Sequence, residues 1–331
     1  MSAATSIARI DLEPYRLGGE EERAGIAEEI DATCRDIGFF IVRGHGLPKA
    51  MIRETMALAD AFFRLPLEEK LKIKQPATDI SRGYTALAVE QLSAGIGEVA
   101  PPDLKELIDI GPVDVKGGAY YTCAAAGNHF HPNLWPESPE GFREHMEAYY
   151  RAMNGLADLL MDIFALALNL PQGFFADKLD KNMSALRLIC YPEQIKPPEQ
   201  HQLRSGAHTD YGTLTILAAD DAPGGLQARH RNGEWIDILP EPGEFVINIG
   251  DAMEIWTNQK WVSTLHRVSN PDRKTAPTAR RLSMPFFHQP NYDALISPLS
   301  SCIADGEPTK FEETTFGEHW MQKWIGSRTS D

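Results

Sequence analysis

Positive charge is the first thing this sequence is short of. Its 32 Lys and Arg stand against 47 Asp and Glu, a formal net charge of −15 over 331 residues. A protein that grips a nucleic-acid backbone clusters basic side chains, so no nucleic-acid partner is expected. An anionic membrane surface is disfavoured on the same ground, and the excess acid speaks mainly for solubility. Cysteine is scarce as well. Cys34, Cys123, Cys190 and Cys302 stand far apart with no CxxC spacing, which argues against a disulfide framework or zinc knuckle and predicts reduced thiols. No apolar run is long enough to cross a bilayer, and Met1 to Leu12 holds no leader-like apolar stretch. The expectation is a cytoplasmic protein without a membrane partner. Internal repeats and low-complexity tracts are missing too, which excludes solenoids and arrays.

What is present is apolar content, 43% hydrophobic, enough for one large or two modest domains. Ile26, Ile30, Cys34 and Ile37 recur at helical spacing from Glu20 to Asp36, with Gly38 as the stop. Gly38 to Arg43 is β-prone and closed by Gly44-His45-Gly46, and a second helix is expected from Pro48 to Arg64. Residues from about 74 to 137 show no clear period and suggest a lid or binding loop. A long helix is expected from Pro139 to about Leu170, with Met146, Tyr149, Tyr150, Met153, Leu156, Leu159, Leu160 and Ile163 on one apolar face, ended by Pro171 and Gly173.

From Ser184 the pattern turns to short strands: Ser184–Tyr191, Thr213–Leu217, Gly225–His230, Trp235–Ile238, Phe245–Ile249, Ser263–Val268 and Arg281–Phe287. Asn232-Gly233 is a strong hairpin signal between two of them. Many short strands separated by turns indicate a double sheet of the jelly-roll kind. The fold class expected is therefore α+β with a mainly β core, flanked by N-terminal and central helices.

His208-Thr-Asp210 and the later His266 carry the strongest chemical signal. Two imidazoles and a carboxylate are the ligand set that holds a non-haem Fe(II) on one face and leaves the opposite positions open. On a strand, residues two apart share a face, so His208 and Asp210 would point together and a distant strand would add His266. An HxD pair alone is weak evidence in a chain with ten His. His129, His131, His201 and His230 are rival ligands on composition. Arg281 and Ser283 are again two apart, and a guanidinium beside a hydroxyl makes a clamp for a planar carboxylate. Arg280 would face the other way.

The surrounding segments are specific. His208-Thr-Asp-Tyr-Gly-Thr-Leu-Thr-Ile-Leu217, Asn248-Ile-Gly-Asp251, Trp256-Thr-Asn258, Ser263-Thr-Leu-His-Arg-Val268 and Arg281-Leu-Ser-Met-Pro-Phe-Phe287 resemble the isopenicillin N synthase-like branch of the Fe(II)/2-oxoglutarate oxygenases. Asp36 to Val42 and Arg82-Gly-Tyr84 resemble that branch's N-terminal region, and the likeness runs over roughly residues 7 to 290. It implies a double-stranded β-helix with His208, Asp210 and His266 as iron ligands. It further implies that Arg281 and Ser283 hold the distal carboxylate of 2-oxoglutarate, with Tyr191 reaching the co-substrate. Many relatives carry Asn two residues before that Tyr, whereas this chain has Ile189. The carboxylate Asp210 argues against halogenation, since family halogenases lack it.

On this reading residues 1–137 form an N-terminal region of helices and pocket-covering loops, and 138–183 a long supporting helix region. The catalytic core is 184–290 and a helical tail is 291–331, all within one compact unit. The implied activity is oxidation of a small organic substrate by Fe(II), 2-oxoglutarate and O2, yielding succinate and CO2. Hydroxylation, desaturation and ring closure all fall within that chemistry. The motifs leave open an isopenicillin N synthase-type oxidase without 2-oxoglutarate, an ethylene-forming reaction, and a non-catalytic binding protein on the same fold. Arg187, Arg204, Tyr84, Phe130 and His131 are candidate substrate contacts. The expected partner is a small, natural-product or amino-acid-like molecule, and the expected state a monomer or weak homo-oligomer.

Overall fold

Two sheets of unequal size, with helices packed on the larger one, form the core of the computed structural model, which describes residues 7–98, 100–272, 274–276 and 279–326. The N-terminal elements are β1 (Ala8–Asp11), α1 (Glu13–Leu17), α2 (Glu20–Asp36), β2 (Phe39–Arg43), α3 (Lys49–Phe63), α4 (Leu67–Leu71), β3 (Gly83–Thr85) and β4 (Glu106–Ile110). Then come α5 (Ala119–Thr122), the long α6 (Phe142–Ala167), α7 (Ala176–Leu179), β5 (Ala185–Tyr191), β6 (Ser205–His208), β7 (Leu214–Ala219), β8 (Leu226–Arg229) and β9 (Trp235–Asp237). The chain continues through β10 (Phe245–Ile249), α8 (Asp251–Trp256), β11 (His266–Val268), β12 (Arg281–His288), β13 (Leu295–Ile296), β14 (Thr314–Thr315) and α9 (Phe316–Gly326).

The major sheet runs β1-β2-β10-β7-β12-β5-β4-β3 and the minor sheet β6-β11-β8-β9. Apart from the parallel β1–β2 pair, the neighbours are antiparallel. This is the expected jelly-roll core. Helix α6 buries Met146, Tyr149, Tyr150, Met153, Leu156, Leu160, Ile163 and Phe164, and its neighbours include α2, α3, β7 and β12. Each fully buried side chain of this size stabilises the fold by about 1.5–3 kcal/mol relative to exposure.

The helix ends earlier than Pro171 and Gly173 suggest. Asn169 adopts a left-handed conformation (φ 56°), and the Leu170 and Asn169 amides donate to the carbonyls of Ala165 and Leu166. That is a Schellman stop with Asn in the place of Gly. Gly38 (φ 64°) does close α2 as expected.

Two expectations need correction. The aperiodic stretch from 74 to 137 contains β3 and β4, which extend the major sheet past β5. Strand β4, Glu-Leu-Ile-Asp-Ile, is buried along its whole length, so the polar-out alternation that reveals a strand is missing. The tail is not simply helical either, since β13 pairs with β14 before α9 begins. Asn232-Gly233 does lie in the β8–β9 hairpin, but the loop spans five residues, because only Gly233 has positive φ and Arg229 is the last residue paired, with Trp235. A two-residue turn of the Asn-Gly kind needs both residues left-handed.

Candidate metal centre and its cavity

His208 ends β6 and His266 begins β11, and the two residues are direct partners across the antiparallel pair. Their rings lie 4.3 Å apart between centroids. Asp210 is not on the strand, contrary to the expected alternation. It sits in the turn that carries the chain from the minor to the major sheet. That turn is fixed by backbone contacts: the Asp251 amide donates to the Asp210 carbonyl at 2.8 Å and the Gly250 amide to the Thr213 carbonyl at 2.9 Å. A Cβ on Gly250 would lie 2.3 Å from the Gly212 carbonyl, and one on Gly212 would lie 2.2 Å from the His288 carbonyl. Only glycine permits this crossing.

One ligand atom from each of His208, Asp210 and His266 falls within 4.8 Å of the others. The Nε2 atoms of His208 and His266 stand 3.9 and 3.7 Å from Asp210 Oδ1, too far for hydrogen bonds. Every other polar atom of the trio is already committed. His208 Nδ1 bonds to the Gly206 carbonyl (2.8 Å) and His266 Nδ1 to the Thr264 carbonyl (3.0 Å). Asp210 Oδ2 accepts from Thr215 (2.5 Å) and from the Asn248 amide (2.7 Å). Outer partners of this kind set the tautomer and aim the ligand. Two Nε2 atoms and one carboxylate oxygen are thus left facing one another, which fits a divalent ion.

Protonation agrees with that fit. Burial, followed by the neighbouring His266, pulls His208 down to about 3, so it is a neutral imidazole. Burial pushes Asp210 up, yet the two imidazoles with Thr215 and Asn248 more than offset it, and its carboxyl lies below the usual range. Neutral imidazole and ionised carboxylate are the forms that bind metal.

The trio opens into a cavity whose empty space, open mouth included, is about 1260 Å³. Towards one end stand Tyr191, Ile189, Leu217, Leu226, Val268 and Ser283. Arg281 pairs with Tyr191 across β12–β5, and Ser283 with Ile189. Arg281 Nη1 is tied to the carbonyls of Asp220 (3.1 Å) and Ala222 (2.8 Å), and Arg281 stands behind the cavity wall that Tyr191 and Ser283 line.

The other end is built differently. Arg187 forms a bidentate pair with Asp109 (2.7 and 2.9 Å) and reaches Glu90 at 3.2 Å. Lys105 bridges Glu90 (3.3 Å) and Asp103 (3.0 Å). All five are buried. Across from them α9 contributes Trp320, Met321 and Trp324, the two indoles stacked at 4.8 Å and Trp320 edge-on to His129. Lys323 pairs with Asp251 at 2.8 Å and donates to Thr209 at 3.2 Å, binding α9 to the turn that carries Asp210. With His319, Lys323 and Ser263 around it, Asp251 falls to about 2 although burial pushes the other way.

Of the expected substrate contacts, Arg187 lines the cavity and the others do not. Tyr84 is buried in the core and donates to Glu106 at 2.6 Å. Phe130 packs among Tyr120, Tyr121 and Tyr292. His131 serves through its carbonyl, which accepts from Arg82. Arg204 is fully buried and donates to the carbonyls of Pro223, Gly224 and Ala279. The sequence reading missed Thr215 and Asn248 as partners of Asp210, the acid–base group around Glu90, and the indoles of α9. Asn248 and Asp251 stood inside a motif, but no pattern showed what they touch.

Family models match in two blocks. Residues 7–138 match the non-haem dioxygenase in morphine synthesis N-terminal model, and residues 182–290 match the 2OG-Fe(II) oxygenase superfamily. A homoarginine-6-hydroxylase of Oryza sativa subsp. japonica is 36% identical over 92% of this chain and 90% of its own length. Another from Arabidopsis thaliana is 37% identical over 91% and 90%. A full-length Neurospora crassa protein, solved in complex with alpha-KG and thymine, superposes with a TM-score of 0.83, at 28% identity and 98% coverage of both chains.

Proposed function

The chain belongs to the 2OG-Fe(II) oxygenase superfamily, and on that premise we propose that His208, Asp210 and His266 hold its iron while Arg281, Ser283 and Tyr191 seat the co-substrate. The protein is an Fe(II)- and 2-oxoglutarate-dependent oxygenase, an oxidoreductase acting on a small molecule. When bound, iron would let O2 act on 2-oxoglutarate and substrate together, so that one oxygen atom ends in succinate as CO2 is lost and the other oxidises the substrate.

The chain's own residues do the positioning. Gly206 and Thr264 carbonyls fix the two imidazole tautomers, and Thr215 with Asn248 holds one carboxylate oxygen so that the other faces the ion. Arg281 and Ser283 share a face of β12, and their guanidinium and hydroxyl suit the distal carboxylate of 2-oxoglutarate. Tyr191 closes that end as a buried wall. The stacked indoles of α9 line the opposite end with apolar surface.

Two relatives act on homoarginine and a third binds thymine, both small and polar. The charged wall of Arg187, Glu90 and Asp109 supports an equally small, polar and amino-acid-like substrate here, with hydroxylation as the outcome. The observation that carries the reading is the pair of free Nε2 atoms beside the one free Asp210 oxygen. Anaerobic addition of Fe(II) and then 2-oxoglutarate tests it by the weak visible charge-transfer band of the chelate. A band lost in His208→Ala is expected; no band in the unaltered protein would sink the co-substrate assignment. Succinate formation with L-homoarginine or thymine then tests the substrate class.

A further inference from the structure

Two arginines, not one, clasp the loop behind the carboxylate end of the cavity. Arg281 takes the carbonyls of Asp220 and Ala222, and Arg204 takes those of Pro223 (2.6 Å) and Gly224 (3.0 Å) from the other side. Arg204 also donates to the Ala279 carbonyl, two residues before Arg281 begins β12. The Tyr191 ring lies 5.8 Å from its guanidinium carbon. Gly225, at the end of the clasped loop, runs beside the Arg281 guanidinium, with its Cβ direction 3.8 Å from that group's carbon.

The charges do not balance. Among the described residues, Asp220 is the carboxylate paired with Arg281, at 3.5 Å, and it is engaged further by the Leu282 and Ala222 amides. Arg204 has no carboxylate partner among those residues; it is fully buried, and its Nε has no hydrogen-bond partner. Burial and then the Arg281 charge pull it down to about 10, so it still carries its proton at neutral pH. A buried cation without a counter-ion is costly, and the expense is met when an anion arrives nearby.

We propose that Arg204 is a positioning residue for the distal carboxylate of 2-oxoglutarate: it locks the Asp220–Gly224 loop and Ala279 around Arg281 and supplies the second positive charge of that end. Neither Arg204 nor Arg281 is among the lining residues, whereas Tyr191 is, so Arg204 acts through its neighbours Arg281 and Tyr191 and through the loop. The inference rests on the reading that Arg281 and Ser283 grip 2-oxoglutarate.

The test compares two ligands on the Fe(II)-loaded protein without oxygen, titrated by the chelate band. One is 2-oxoglutarate; the other is 2-oxopentanoate, which keeps the chelating end and the chain length but ends in a methyl group. The unaltered protein is expected to prefer 2-oxoglutarate strongly. Arg204→Met is expected to weaken 2-oxoglutarate by about 10- to 100-fold, within the range for coupling carried through intervening groups, and to leave 2-oxopentanoate within about twofold. Equal weakening of both ligands, or of neither, overturns the proposal, because a merely structural role would not read the far carboxylate. If the unaltered protein itself fails to distinguish the ligands, the clamp reading falls first. Should Arg204→Met not fold, Arg204→Lys makes the same comparison. Lysine keeps the charge but cannot fork across two carbonyls, and a several-fold loss confined to 2-oxoglutarate is expected.

Discussion

The two ends of the cavity solve the same problem, holding charge away from water, in opposite ways. At the end proposed for iron and co-substrate the charged groups are left incomplete: two imidazole nitrogens and one carboxylate oxygen face a gap, and of two arginines only Arg281 has a carboxylate in ion-pair contact among the described residues. At the end proposed for the substrate Arg187 and Lys105 are paired with Glu90, Asp103 and Asp109, two cations against three carboxylates in one buried, mutually bonded group. Incomplete groups demand a ligand, whereas closed groups stabilise the fold and offer only their remaining donors. The first end is therefore read as a binding site for ions, the second as a rigid polar wall.

That contrast can be broken by substitution. The largest effect is expected at Asp210→Ala, which should abolish turnover and weaken Fe(II) by more than about 100-fold, beyond the loss for an outer partner. Its melting temperature should change little, and a large drop there would erase the distinction between the ends. Arg187→Met should do the reverse. It strands Asp109 as a buried charge and costs about 3–5 kcal/mol in urea unfolding, while folded protein still forms the iron chelate.

Smaller changes sharpen the comparison. Asn248→Leu removes one of two donors to Asp210 Oδ2 and should lower Fe(II) affinity by about 10- to 100-fold, read by competition with a chelator. Unchanged affinity would mean that Thr215 alone aims the carboxylate. The smallest effect is expected at Lys323→Met, where a half-buried pair with Asp251 is lost for about 1 kcal/mol. Amide exchange should quicken in residues 316–326 with the chelate band intact. Exchange that stays slow would show that the indoles, not the ion pair, dock α9.

How much was legible follows the same divide. His208, His266, Arg281 and Ser283 lie on strands whose neighbours are specific motifs, so their order along the chain already suggested a site. The alternation argument brought Asp210 beside His208 by the wrong geometry, since Asp210 stands in a turn held by Gly212 and Gly250 and joins the cluster from there. Tyr84 is a substrate candidate in the sequence as a residue of the presumed lid, and Arg204 as a guanidinium that could reach a carboxylate substrate. Burial decided otherwise, with Tyr84 bonded to Glu106 and Arg204 to loop carbonyls. Trp320 and Trp324 gave no signal because an i, i+4 aromatic pair on a helix suits any core.

By itself, then, the sequence determined the double-sheet architecture and the identity of the candidate ligands, because local periodicity and short motifs encode both. Only the tertiary structure decided which polar groups are complete and which are not. Glu90 and Lys105 come from the loop before β4, Arg187 from β5 and Trp320 from α9. Whether a charge finds its partner depends on contacts between such distant segments, which no local pattern records.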